Sequence, residues 1–305
     1  MNLSNKQLIE EYLNYYKHSP QSINMRRSSL NYFFESSYFG YDKHVFEINT
    51  RILKQYFVFL KNCDNVAVET RKNKWHVLIS FLQSTAEDYE DFNIVIPKRT
   101  IDWKGAIPKR KKNKSNAKIL AKREEIEEIL NHFKSRNFKH YIIFRMFAET
   151  GMRKGELIDA KIDDINFDYR HINIKIGKTG EKLYNFSQDF VIYLKQYVNS
   201  RKKIQTKENY LFITNRYNKY SKRAFNVFLK NALKKIGISK NITTKTFRKT
   251  LNTLRKKTLE CNEENAKRLI GHALQDVNAK SYTIYDWKDL KELYDNYNPY
   301  INCNF

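Results

Sequence analysis

Residues 98–118, KRTIDWKGAIPKRKKNKSNAK, hold nine Lys or Arg against one acid, with Gly105 and Pro108 inside the run. No hydrophobic core absorbs such a stretch, and its two helix breakers interrupt any helix drawn through it. The chain is therefore expected to fold as two bodies, residues 1–97 and residues 119–305, joined by a basic linker. A length of 305 residues suits two domains, each with its own core. The linker either stays solvated or lies along a phosphate backbone, with Lys109, Arg110, Lys111, Lys112 and Lys114 as its contacts.

The rest of the chain shares this charge bias. There are 57 Lys and Arg against 33 Asp and Glu, a formal net charge of +24. A surplus that clusters in this way favours a polyanion through counterion release, and nucleic acid is the first candidate over simple solubility. Cys63, Cys261 and Cys303 lie far apart with no CxxC or Cys/His pairing, which predicts a reducing compartment and no structural zinc. The polar, acidic start lacks the charged and apolar regions of a signal peptide. The most apolar stretch, HYIIFRMFAETG, is interrupted by Arg145 and falls short of the roughly 20 residues that a membrane helix needs. A cytoplasmic, nucleoid-associated protein is expected.

Up to about residue 96 the apolar residues recur at helical spacing. The stripes are Leu8, Ile9, Tyr12 and Leu13; Leu30, Phe33 and Phe34; Ile52, Leu53, Tyr56, Phe57 and Leu60; and Trp75, Leu78, Ile79 and Leu82. Four helices fit, separated at Ser19-Pro20, Gly40-Tyr41-Asp42 and residues 62–65. Beyond the basic run, Ile126, Ile129, Leu130 and Phe133 form a further stripe, followed by a buried helix over YIIFRMFAE. The period then changes to two. Ile172, Ile174 and Ile176 alternate with polar residues up to GKTG, and EKLYNFS returns, which predicts a β-hairpin. Helices resume, one of them ending at Gly237, and the last presents Leu290, Leu293, Tyr294 and Tyr297 for its own domain or a neighbouring subunit to cover.

Five features along the second half carry chemistry. Arg153 follows the turn glycine Gly151 in ETGMRKGEL, with Glu156 three residues on. Lys178 sits between glycines at the hairpin tip. Lys245 and Arg248 share a helix face after Thr243 and Thr244, which are N-cap candidates. Gly271-His272 follows an amphipathic helix, and KSYTIYD then offers Tyr282 and Tyr285. There is no HExxH, no credibly spaced aspartate triad and no GxxxxGKS/T loop, so neither metal hydrolysis nor ATP use has support.

The order of these features, with TGMRKGEL and LIGH as the nearest matches and IGKTG as a third, resembles the tyrosine recombinase (phage integrase) family over most of the chain. The resemblance implies a mainly α fold with a small β-sheet, arranged as a two-domain clamp around DNA. Its N-terminal half would be a four-helix, SAM-like core-binding domain, and its C-terminal half an α+β catalytic domain ending in a docking helix. Arg153 and Arg248 are then the two arginines that grip the scissile phosphate. Lys178 protonates the departing 5′-oxygen, His272 donates to the phosphate, and Tyr282 is the nucleophile. Glu156 and Asp164 would orient the arginines or cap a helix. Lys245 stands where the family usually has histidine, as in a subgroup of archaeal and virus-encoded integrases. A lysine there donates to a phosphate oxygen but does not shuttle a proton near neutrality. Tyr282 lies ten residues after His272, one more than is common in the family, and Tyr285 thirteen. The implied activity is site-specific recombination of double-stranded DNA by a homotetramer, without cofactor, metal or ATP. A DNA-binding protein of the same fold with impaired catalysis, a type IB topoisomerase and a telomere resolvase are the alternatives.

Overall fold

The computed structural model describes residues 3–15, 19–35, 43–89, 92, 94–95, 119–176, 180–206, 208–271, 286–301 and 303. The chain divides into two compact units, Met1–Ser115 and Asn116–Phe305. The expected linker over residues 98–118, with Lys109, Arg110, Lys111, Lys112 and Lys114, lies outside the described residues, as does the expected break at Gly40-Tyr41-Asp42.

Four α-helices make up the first unit among the described residues: α1 (Asn5–Tyr15), α2 (Pro20–Phe34), α3 (Thr50–Asn62) and α4 (Val68–Asp88). Their boundaries follow local chemistry. Ser19 accepts from the Ser22 N–H with Pro20 in the first turn, and Asn49 accepts from the Ile52 N–H. Arg71, buried on α4, closes the other end of α3 by donating to the carbonyls of Leu60, Lys61 and Val66. The donations to Leu60 and Lys61 satisfy carbonyls that α3 leaves without helical partners, and the one to Val66 ties down the following loop. The four sequence stripes converge on one aromatic core, in which Phe33 meets Tyr56 edge-on at 4.8 Å and Phe57 meets Trp75 at 5.4 Å.

The second unit opens with α5 (Arg123–Arg136) and α6 (Phe138–Thr150), then α7 (Lys154–Asp159). Phe133 of α5 stacks on Phe144 of α6 at 4.5 Å. Next come β1 (Ile165–Asn166), β2 (His171–Ile176) and β3 (Gly180–Asn185), an antiparallel sheet in that order. The hairpin is as expected, while the two-residue β1 is an addition that the loop-like run DDINFDYRH did not announce. Helices α8 (Gln188–Lys202), α9 (Ala224–Lys235), α10 (Thr244–Lys257), α11 (Glu263–Leu269) and α12 (Trp287–Asn296) complete the unit. Gly237, at φ +76°, ends α9 as expected, and the Ile238 N–H reaches back to the Leu233 carbonyl at 3.0 Å.

Helix α6 is buried on every side, yet it carries Arg145 and Glu149, both 1 % exposed. The Glu149 carboxylate takes four donors: Arg145 Nε at 3.0 Å, the Ser187 N–H at 2.8 Å, Ser187 Oγ at 2.7 Å and the Tyr294 hydroxyl at 2.5 Å. Arg145 also pairs with Asp189 and donates to Tyr141. The expected stripe on α12 is covered in part within its own unit. Tyr294 is the buried member, Leu290 and Leu293 are half-buried, and Arg170 pairs with Asp295. Beyond α12 the chain turns back, burying Tyr300 in the main core and setting Cys303 Sγ between Arg123 and Glu127.

His140 at the start of α6 stacks on Phe228 at 4.1 Å and meets Phe133 edge-on. Burial pushes its pKa down to about 4. Between that value and the ordinary one near 6.5, the unfolded chain binds the proton and the folded chain does not. Stability is therefore expected to fall as pH drops from about 6.5 towards 4. His140→Phe should flatten that part of a thermal-melting profile, and an unchanged profile would assign the acid sensitivity elsewhere.

Candidate active site

The site is organised around the corner between α6 and α7. Helix α6 ends at Gly151 in the left-handed region, φ +61°. A side chain is disfavoured there on two grounds, the positive φ and a Cβ that would lie 2.9 Å from Leu251 Cδ2. The turn carries Arg153 to the N-cap of α7, where half of its side chain is exposed. Its backbone N–H and Nη1 both donate to Glu156, at 2.6 and 3.0 Å.

Arg248 arrives from α10. The Thr243 N–H donates to Thr246 Oγ1, and the Thr244 N–H and Oγ1 both donate to Asn226 Oδ1 on α9, which fixes the start of the helix. One turn on, Arg248 Nη1 donates to the Gly151 carbonyl at 2.5 Å and Nη2 to the Ile270 carbonyl at 2.8 Å. The fork is locked to two backbone segments, one of them two residues from Arg153. Burial lowers the Arg248 pKa, though a guanidinium remains protonated at neutral pH. Lys245 is exposed one turn before Arg248.

Glu156 is the hub. Besides Arg153, it accepts from Lys182 Nζ at 3.0 Å and from the Tyr184 hydroxyl at 2.8 Å. Burial works to raise its pKa, but the hydrogen bonds from Arg153, Lys182 and Tyr184 outweigh burial and hold it below the usual carboxylate range. Asp164 instead accepts the Lys161 N–H at 2.7 Å and caps the short turn before β1. Lys182 and Tyr184 were not foreseen. Their signal is the strand period, which sets residues 182 and 184 on one face of β3, opposite Ile174 and Ile172 of β2. Lys178, His272, Tyr282 and Tyr285 lie outside the described residues.

A groove of about 890 Å³ runs beside this corner, between α9 and the start of α10. Lys154, Arg223, Lys230, Lys234 and Lys240 line it, together with Thr243. Two guanidinium groups, a flanking lysine and a cationic groove together suit an anionic backbone that is held and made to react at a single phosphate.

The family model for the phage integrase family matches residues 120–283, more than half of the chain. The chain belongs to the phage integrase family. Among curated relatives of this integrase-family chain, the tyrosine recombinase XerC of Leptospira interrogans is 24 % identical over 307 residues, covering 95 % of this chain and 93 % of XerC. The tyrosine recombinase XerA of Saccharolobus solfataricus is 28 % identical over 214 residues, 68 % of this chain and 65 % of XerA. Among solved structures, the Tn1549 transposon integrase in complex with transposon right end DNA superposes with a TM-score of 0.67 at 13 % identity, covering 95 % of this chain and 98 % of that one. A lambda integrase tetramer bound to a Holliday junction gives 0.63 at 14 % identity over 90 % and 79 %. At such identities the structural likeness establishes the fold, which is mainly helical with a small sheet. Among the described residues, no helix is long and apolar enough to cross a membrane.

Proposed function

We propose that this enzyme, a tyrosine recombinase by family, cuts and rejoins duplex DNA at specific sites, with Tyr282 as its nucleophile. The observation that carries the reading is the meeting of Arg153 and Arg248 around Gly151 and Glu156. In the transition state for attack on a phosphodiester, negative charge builds on the two non-bridging oxygens. Guanidinium groups fixed in advance stabilise that state more than the ground state. The Tyr282 hydroxyl gives its proton to solvent as its oxygen bonds to phosphorus and the bond to O5′ breaks, and Lys178 delivers a proton to the departing 5′-oxygen. The 3′-phosphotyrosine that results keeps the energy of the broken bond. The 5′-hydroxyl of another strand then attacks it, releasing the tyrosine and sealing the new joint without ATP. Lys245 and His272 donate to the phosphate oxygens, and Glu156 holds Arg153 in place.

Residues 1–97 act as the core-binding domain and residues 119–305 as the catalytic domain, joined by the basic linker along the DNA backbone. The enzyme works as a homotetramer on two sites and is nucleoid-associated. The groove beside α9 supplies phosphate contacts independent of sequence.

The test is covalent capture from a pool of randomised duplexes, each nicked so that the cleaved end diffuses away. Wild-type enzyme in EDTA is expected to give an adduct that survives a denaturing gel, with Tyr282 in the DNA-bearing peptide. Retained duplex binding without any adduct would overturn the enzymatic reading, and DNA on Tyr285 would move the nucleophile.

A further inference from the structure

Tyr184 is the most enclosed polar group of the site, yet nothing in the reaction above uses it. It points inward from β3, fully buried. Its hydroxyl donates to Glu156 Oε2 at 2.8 Å, and the Arg248 guanidinium lies within electrostatic reach of the same hydroxyl. It also bears on Gly271, where a Cβ would lie 2.9 Å from Tyr184 Oη. Gly271 has φ +60° and directly precedes His272. One side chain therefore binds α7 through Glu156 and packs on the Gly271 turn, where the preceding Ile270 carbonyl holds Arg248 of α10; these are the segments that lead to Arg153, Arg248 and His272.

We propose that Tyr184 is a positioning residue for the recombination reaction, its hydroxyl setting the Arg153 and Arg248 guanidinium groups in register around one phosphate. The proposal rests on the function read above. Full burial keeps the Tyr184 hydroxyl from reaching a phosphodiester as a nucleophile. Burial first, and the Glu156 charge next, push its pKa above the ordinary value, so the hydroxyl keeps its proton and keeps donating. Glu156 then answers to two donors beyond Arg153. Lys182 holds Oε1 and Tyr184 shares Oε2 with the Arg153 N–H, so the carboxylate cannot swing without losing a partner. The same hydroxyl packs against Gly271, next to the Ile270 carbonyl that holds Arg248 Nη2. Two guanidinium groups carried by separate helices thereby acquire a common reference point.

Tyr184→Phe keeps the ring and its packing while removing the hydroxyl. With a duplex recovered from the capture pool at saturating enzyme, the variant is expected to form the adduct roughly 10²-fold more slowly, the usual scale for an ångström of misplacement. Its Kd for that duplex should stay within about twofold, since phosphate contacts in the groove are untouched. A purely structural role would instead lower Tm and weaken binding alongside the rate. A second substrate sharpens the distinction. Replacing one non-bridging oxygen at the cleaved phosphate by methyl removes the charge that the arginines must match. On that methylphosphonate duplex the deficit of Tyr184→Phe is expected to shrink several-fold.

A wild-type adduct rate retained in Tyr184→Phe overturns the proposal, as does an equal deficit on both substrates. Should wild type itself give no adduct, the functional reading fails, and a nitrogen-15 spectrum of the free protein still decides this one. The Arg248 Nε–H resonance is expected to shift or broaden in Tyr184→Phe, and an unmoved resonance excludes the positioning role.

Discussion

Arg248→Ala is expected to slow adduct formation by at least about 10³-fold, a loss of about 4 kcal/mol of transition-state stabilisation. The estimate rests on how the side chain is held. Nη1 and Nη2 are each tied to a carbonyl, of Gly151 and Ile270, so the guanidinium is in place before substrate arrives and spends nothing on ordering itself. Truncation also leaves both carbonyls without that donor, adding a stability cost of about 1–3 kcal/mol for each that stays buried. Arg248→Lys separates charge from geometry. A single ammonium cannot span two carbonyls and face a phosphate, so lysine is expected to recover little of the rate although the charge is kept. Single-turnover adduct kinetics on the captured duplex provide the measurement, with duplex binding followed in parallel. A lysine variant within tenfold of wild type would show that charge alone suffices there.

Glu149→Ala is expected to cost about 3–5 kcal/mol of stability, the range for removing one partner of a buried ion pair. Arg145 is only 1 % exposed, and Asp189, its other acid, sits at the surface. Loss of Glu149 also strands the Ser187 N–H and hydroxyl at the start of α8 and the Tyr294 hydroxyl on α12. Denaturant unfolding of the wild type and the variant supplies the number, and a difference under 1 kcal/mol would mean that the fold rearranges to pair Arg145 elsewhere. Tyr294→Phe removes a single donor from the same carboxylate and should cost far less.

Much of the architecture could be read from the residues because it depends on near neighbours. The stripes of Leu8 to Leu82 and of Ile126 to Phe133 are i, i+3, i+4 patterns, and the caps or breaks named at Ser19-Pro20, residues 62–65, Gly151, Gly237 and Thr243 each end or begin a helix. The hairpin followed from Ile172 and Ile174 alternating before a glycine-bounded tip. Other features depend on distant pairings, which no local period encodes. Tyr184 reaches Glu156 across 28 positions, and Tyr294 reaches Glu149 across 145. The motif TGMRKGEL gave Arg153 and Glu156 together, but it could not say that the glycine carbonyl in that turn would receive Arg248 from 97 residues away. Helix α12 shows the same limit. Its stripe predicted a covered face, whereas the weight falls on the Tyr294 hydroxyl and the Arg170–Asp295 pair rather than on Leu290 and Leu293.

The return of the chain after α12 bears on timescales. Because Tyr300 is seated in the main core and Cys303 lies between Arg123 and Glu127, α12 is moored downstream as well as by Tyr294. Releasing the helix requires withdrawing a buried aromatic ring, and truncating such a ring costs about 3–5 kcal/mol. An opening free energy of that order makes whole-segment opening rare, with amides of α12 exchanging with solvent together rather than one by one.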